Sequence, residues 1–158
     1  YSSGTNSFVF TRLVNDIISL NQFDILIVDT GAGLNDYVKE FLSISENILA
    51  ITTTDPSALT DVYSLLKMLA IDKDSLMLCF NHTKSYHAGE IITNSLVNLA
   101  KKNRLKEDFM IKYLGSITSS ENISITGRLR KLFVSEFPIG EITVQMQRIV
   151  EKILINIR

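Results

Sequence analysis

The most constraining stretch of this 158-residue chain is residues 23–35, FDILIVDTGAGLN, an apolar run that stops on Asp29 and passes through Gly31 and Gly33 into a helix start. Ile25, Leu26, Ile27 and Val28 are consecutive large aliphatics bounded by Asp24 and Asp29. Such a run suits a short strand buried on both faces, and strands of that kind belong to parallel sheets covered by helices. Ligands of open parallel sheets sit beyond the carboxyl ends of the strands, which is where Asp29 stands. Gly31 and Gly33 let the backbone adopt unusual dihedrals and approach a ligand closely.

The same kind of run recurs at residues 48–53 (ILAITT), 76–80 (LMLCF) and 113–117 (YLGSI), which are predicted as further strands. Between them, helical spacing predicts helices over 7–20, from an Asn35 cap to about Leu42, and over 57–70. Asp55 is the predicted N-cap of the last of these, and Pro56 occupies a first helical position where a missing N–H is harmless. Another helix carries Ile92, Leu96, Val97 and Leu99. A further one is predicted over 121–132, and the last follows the stripe Ile142, Met146, Ile149, Ile153 and Ile157. A helix followed by four β-α units reads as α/β, a mostly parallel sheet flanked by helices. Repeats and low-complexity linkers are absent, so residues 1–158 read as a single domain.

A formal net charge of -1 gives no general attraction to nucleic acid or anionic lipid, and no apolar run reaches the roughly 20 residues of a membrane span. Cys79, inside an apolar run, has no cysteine partner, which is consistent with a reducing cytoplasm. His82 and His87 lack further ligands at zinc spacing. The basic stretches at residues 101–106 and 128–131 lie where helix ends normally carry cations. The opening YSSGTNS has neither an initiator Met nor a signal-peptide core, so the chain is expected to start in mid-protein. It contains no G-x-x-x-x-G-K-[ST] loop to cradle a triphosphate.

An apolar strand ending in Asp matches the Walker B pattern, whose Asp holds Mg²⁺ directly or through water. Thr30 to Gly33 would then offer amides to a terminal phosphate. Gly31-x-Gly33 also resembles the start of a dinucleotide fingerprint, with Asp55 near the distance of a ribose-binding acid. There, however, Asp36 replaces the third glycine and puts a carboxylate where a pyrophosphate must approach. Asn81 ends a strand in Asn81-His82-Thr83-Lys84. Its amide can both donate to and accept from adenine, whereas Lys84 cannot accept hydrogen bonds from guanine.

Taken together, Asp29-Thr30-Gly31-Ala32-Gly33 after FDILIV resembles the second switch region of the MinD/ParA ATPases, and within them the FlhG branch that regulates flagellar number and placement. Leu114-Gly115-Ser116-Ile117 resembles the L-G-x-I-P-x-D segment of that family, with Thr118 in place of Pro and Ser120 in place of Asp. Thr53-Thr54-Asp55-Pro56-Ser57 resembles its T-T-P-E/D-P-S segment, and His82 stands where the family has Arg after Asn81.

The resemblance implies the later part of a phosphate-loop NTPase, N-terminally truncated, with the loop and first switch upstream of Tyr1. It implies ATP and Mg²⁺ as cofactors, with Asp29 at the metal, through water, as the catalytic residue. Gly31 and Gly33 would sense the terminal phosphate, and Asn81, His82, Thr118 and Ser119 would border the base. It further implies a homodimer when ATP is bound, a flagellar or cell-pole protein partner, and a cytoplasmic protein that associates peripherally with the inner face of the membrane. Specific nucleic acid is not expected. Without the loop, this chain alone is expected to hydrolyse no ATP. The competing class is a non-catalytic α/β interaction module.

Overall fold

The computed structural model describes residues 7–157, with side chains from Phe10 onward. The chain divides into two compact units, Tyr1–Glu46 and Asn47–Arg158.

In the first unit, α1 (Ser7–Ser19) and α2 (Asp36–Ile44) pack through Phe10, whose ring centroid lies 4.7 Å from that of Phe41. Asn35 caps α2 as its sequence position predicts, its Oδ1 accepting from the Val38 N–H at 3.0 Å. The strand predicted at residues 25–28 does not form. Its side chains are exposed, Ile27 to 84%, and no backbone hydrogen bond reaches residues 23–30 among the described residues. A strand buried on both faces depends on ladder partners and covering layers, and β-propensity alone does not supply them.

The second unit holds β1 (Leu49–Thr52), α3 (Pro56–Asp72), β2 (Ser75–Thr83), α4 (Ala88–Lys102), β3 (Met110–Thr118), α5 (Glu121–Arg128), α6 (Phe133–Glu136) and α7 (Glu141–Asn156). Its three strands form a parallel sheet in the order β1-β2-β3, with helices against it, so the expected α/β class holds. The sheet has three strands among the described residues where four were predicted.

The central strand β2 is buried from Leu76 to Phe80, all at 5% exposure or less. Strand side chains alternate between faces. Met77 and Cys79 therefore join Leu114 and Ile149 beneath α7, while Leu76, Leu78 and Phe80 face the opposite layer, where α3 and α4 pack on the strand. At Gly115, φ is +156° and an added Cβ would lie 2.8 Å from Ile149 Cγ1, so only glycine lets α7 settle on β3.

Two local expectations change. Asp55 occupies the N-cap position of α3, but its carboxylate accepts from Thr53 Oγ1 at 2.6 Å and bonds no first-turn amide. The helix predicted over 121–132 stops at Arg128. Arg130 turns left-handed there, its N–H donates to the Gly127 carbonyl, and the Lys131 N–H reaches back to Thr126 O at 2.9 Å. That is a Schellman ending built without glycine.

Candidate functional site

Asp29, Gly31 and Gly33 lie on the irregular segment that leads into α2. The Asp29 carboxylate has neither a hydrogen bond nor an ion pair among the described residues, and the side chain is exposed. A hard oxygen donor open to water suits Mg²⁺, which keeps most of its water shell and takes one or two carboxylates. Among the described residues, Asp29 included, no three His, Cys, Asp or Glu side chains gather to hold a metal. Gly33 has φ +89°, a left-handed conformation that favours glycine. No atom lies within 4 Å of where a Cβ would stand on Gly31 or Gly33, so space for a ligand to approach is open there.

In the second unit, the carboxyl ends of β2 and β3 bring four predicted residues to one edge of the sheet. Phe80 pairs with Ser116 and Thr83 with Thr118, so β2 carries one extra residue across Asn81 and His82. This is a bulge, a device that re-aims side chains at strand ends. His82 adopts φ +55°, unusual for a residue with a Cβ, and its N–H donates to Asn81 Oδ1 at 2.9 Å. Asn81 therefore has its Nδ2 protons left to offer outward. Beyond the bulge, the Ser119 N–H donates to Thr83 O at 3.1 Å and Thr83 Oγ1 to Ile117 O at 3.3 Å, which ties the two strand ends together.

Thr118 is held from α7. Gln145, 3% exposed, accepts the Thr118 N–H on Oε1 at 2.9 Å. Its Nε2 donates to Thr118 Oγ1 at 3.2 Å and to Glu141 Oε1 at 3.2 Å. The backbone amides of Thr118 and Ser119 are thus already committed, and what these two residues can offer a ligand is their hydroxyls and surface. Both line an open cleft of about 250 Å³, with Phe133, Phe137 and Glu141 on its other walls. Asn81 and His82 are not among its lining residues. A second cleft, about 340 Å³, is lined by Tyr86, Gln145 and Arg148, with Glu141 on its wall as well. Tyr113 fixes the loop beside it, donating to Tyr86 O at 3.1 Å while its hydroxyl meets Ser116 Oγ at 2.8 Å. Burial raises the Tyr113 pKa.

Gln145, Glu141, Phe133 and Phe137 were not singled out from the sequence. For Gln145 a signal existed: it sits between Ile142 and Ile149 on the apolar stripe of α7, where a polar residue needs a buried partner. For the phenylalanines the signal was their spacing of four residues just before Pro138.

No protein-family model matches the chain. It is 33% identical over 132 residues to the flagellum site-determining protein YlxH of Helicobacter pylori, an alignment covering 84% of this chain and 44% of that protein. It is 25% identical over 160 residues to the antiactivator FleN of Pseudomonas aeruginosa, covering 96% of this chain and 56% of FleN. The chain spans about half the length of these curated relatives.

Proposed function

The chain is a homologue of the flagellum site-determining protein YlxH and of the antiactivator FleN, and on that premise we propose that it forms the later part of an Mg²⁺-dependent ATPase of the MinD/ParA family. In this reading the whole protein is an ATP-driven dimerisation switch that sets flagellar number or placement. The observation that carries it is the 33% identity to a flagellum site-determining protein across 84% of the chain.

Bound Mg²⁺ and ATP supply the transferable phosphoryl group and neutralise its charge. Asp29 would hold the metal, through water. Gly31 and Gly33 let the segment before α2 order or release with the state of the terminal phosphate, the kind of change that switches a dimer surface. Asn81 presents its amide protons to the base, the left-handed His82 sets the direction of that amide, and Thr118 and Ser119 border the base from β3. The ATP-bound form is a homodimer, its partner a flagellar or cell-pole protein. Its place is the cytoplasm and the inner face of the membrane. Among the described residues no helix is long and apolar enough to cross a membrane.

The test is thermal unfolding of the full-length protein with and without ATP and Mg²⁺. Ligand at 100 times its Kd stabilises by about 2.7 kcal/mol, a shift of several degrees. The expected result is protection by ATP with Mg²⁺ that disappears in Asp29→Ala and in Asn81→Ala. No shift at millimolar nucleotide would move the assignment to a non-catalytic interaction module, and a response to a dinucleotide instead would point to an oxidoreductase.

A further inference from the structure

We propose that the corner where α5 turns into α6 is a docking surface for an acidic segment of a protein partner that carries its own apolar stripe. This rests on the reading above only in giving the protein a partner, and it needs neither ATP nor Mg²⁺. The first observation is that α5 is turned inside out. A helix lying on a protein ordinarily buries its apolar stripe. Instead α5 buries Thr126, at 5% exposure, whose hydroxyl is spent on the Asn122 and Ile123 carbonyls of the same helix at 2.9 and 3.0 Å. Ile125 and Leu129, four residues apart and so on one face, stand 48% and 62% exposed, and Leu132 just beyond stands 74% exposed. Single exposed aliphatics need no explanation, but several gathered at one corner and bordered by charge mark an interaction site.

Charge says what covers them. Residues 128–132 read Arg-Leu-Arg-Lys-Leu, and all five are exposed. The pull of a helix end accounts for Arg128 in the last turn, whereas Arg130 and Lys131 lie past it. Lys131 pairs with Glu136 at 3.0 Å, but neither Arg128 nor Arg130 has an ion pair among the described residues. Guanidinium groups set beside exposed leucines fit carboxylates set beside an apolar stripe, the arrangement an amphipathic helix presents. An anionic lipid surface fits less well. From Glu121 to Glu141 three glutamates offset the three cations, so the segment has no net positive field to draw it to lipid. Carboxylates placed on a partner can meet each arginine singly.

The corner is also held in shape before any partner arrives. Arg130 is left-handed at φ +54°, and the Lys131 N–H reaches the Thr126 carbonyl at 2.9 Å. On the other side, the Leu132 carbonyl accepts the Ser135 N–H at 3.1 Å and the Glu136 N–H at 3.2 Å. Leu129 and Leu132 thus stand on backbone bonded from both directions, which lowers the ordering cost of binding.

The experiment places a photocrosslinking phenylalanine analogue at position 132 of the full-length protein in its own cells and identifies by mass spectrometry what becomes joined to it. The expected adduct is to another protein, at a segment with carboxylates on both sides of the joined position. Reversing both arginines, Arg128→Glu with Arg130→Glu, should lower its yield about ten-fold or more, because like charges would then face each other across the contact. Arg128→Lys with Arg130→Lys keeps the charge and should retain more of the adduct than the glutamates do. Should the reversed variant fail to fold, the composition of the joined segment in the unaltered sequence decides the matter. An adduct only to lipid, only to a second copy of this chain or to a segment without those carboxylates would overturn the proposal. So would no adduct at all, or an unchanged yield in a folded reversed variant.

The nucleotide reading fails separately. If the acidic adduct forms while ATP with Mg²⁺ leaves the full-length protein unprotected, the ATPase assignment falls and the docking surface stands. If ATP with Mg²⁺ protects while reversal of Arg128 and Arg130 leaves the adduct unchanged, only the docking surface falls.

Discussion

Replacing Gln145 by Met tests whether the α7 clamp on β3 is an energetic feature of the fold. Methionine keeps the length of the side chain and fills the same space, but it can neither accept the Thr118 N–H nor donate to Thr118 Oγ1 and Glu141. A hydrogen bond contributes about 0.5–1.5 kcal/mol net, and a buried donor left without a partner costs about 1–3 kcal/mol. Thr118 is half-buried, so water recovers part of what its hydroxyl loses, and the 2.9 Å bond from its N–H dominates. The expected destabilisation is therefore about 1–2 kcal/mol, from the lower half of that range. In urea unfolding, with a slope of about 1–3 kcal/mol per molar, the midpoint should fall by about 0.5–1 M at unchanged slope. Gln147→Met, on the exposed face of the same helix, should move it by less than about 0.5 kcal/mol equivalent. Thr118→Val keeps the N–H and should cost less than Gln145→Met. Equal midpoints for Gln145→Met and Gln147→Met would refute the reasoning.

Three further outcomes follow from packing and burial. Gly89→Ala should destabilise by about 1–2 kcal/mol, because its Cβ would meet Phe80 Cδ2 at 2.7 Å and overpacking outweighs the gain in helix propensity; Gly127→Ala, with nothing within 4 Å, should stabilise by about 0.5–1 kcal/mol, and denaturant midpoints of opposite sign check both. Leu66→Ala, at a site with 0% exposure, should cost about 2–5 kcal/mol in the same assay. Burial lifts the Cys79 thiol to about 11, above the unfolded value, so the folded chain keeps its proton where the unfolded chain has lost it. The stability this group contributes is full below pH 9 and falls as pH rises from 9 towards 11; Cys79→Ala should flatten that part of the curve in unfolding measured against pH.

Legible in the sequence was whatever short-range chemistry decides. The run from Leu76 to Phe80 is apolar on both faces whatever surrounds it, and Asn35 reaches an amide three residues ahead, so β2 and the start of α2 were legible. Residues 25–28 have the same local character as β2, yet their state depends on neighbours distant in sequence, and they remain exposed. Arg130 hid the end of α5 because a left-handed arginine carries no compositional mark. At the strand ends, hydroxyls and amides were visible as residue types. Their partners were not, since Gln145 reaches Thr118 across 27 positions and Thr143 reaches Phe137 across a turn. The bulge at Asn81 and His82 was equally hidden, because register belongs to a pair of strands.

The exposed aliphatics of residues 25–28 also bear on how this chain behaves in company. Four β-prone side chains with free backbone groups are a template on which a second chain can add itself strand by strand. Asp24 and Asp29 bracket that template, and copies stacked in register would bring like carboxylates together at both ends. These two aspartates are gatekeepers whose repulsion works through solvent and fades as salt shortens its reach. Association of copies through this segment should therefore rise with ionic strength, and Asp29, proposed above to hold the metal, would also keep copies apart.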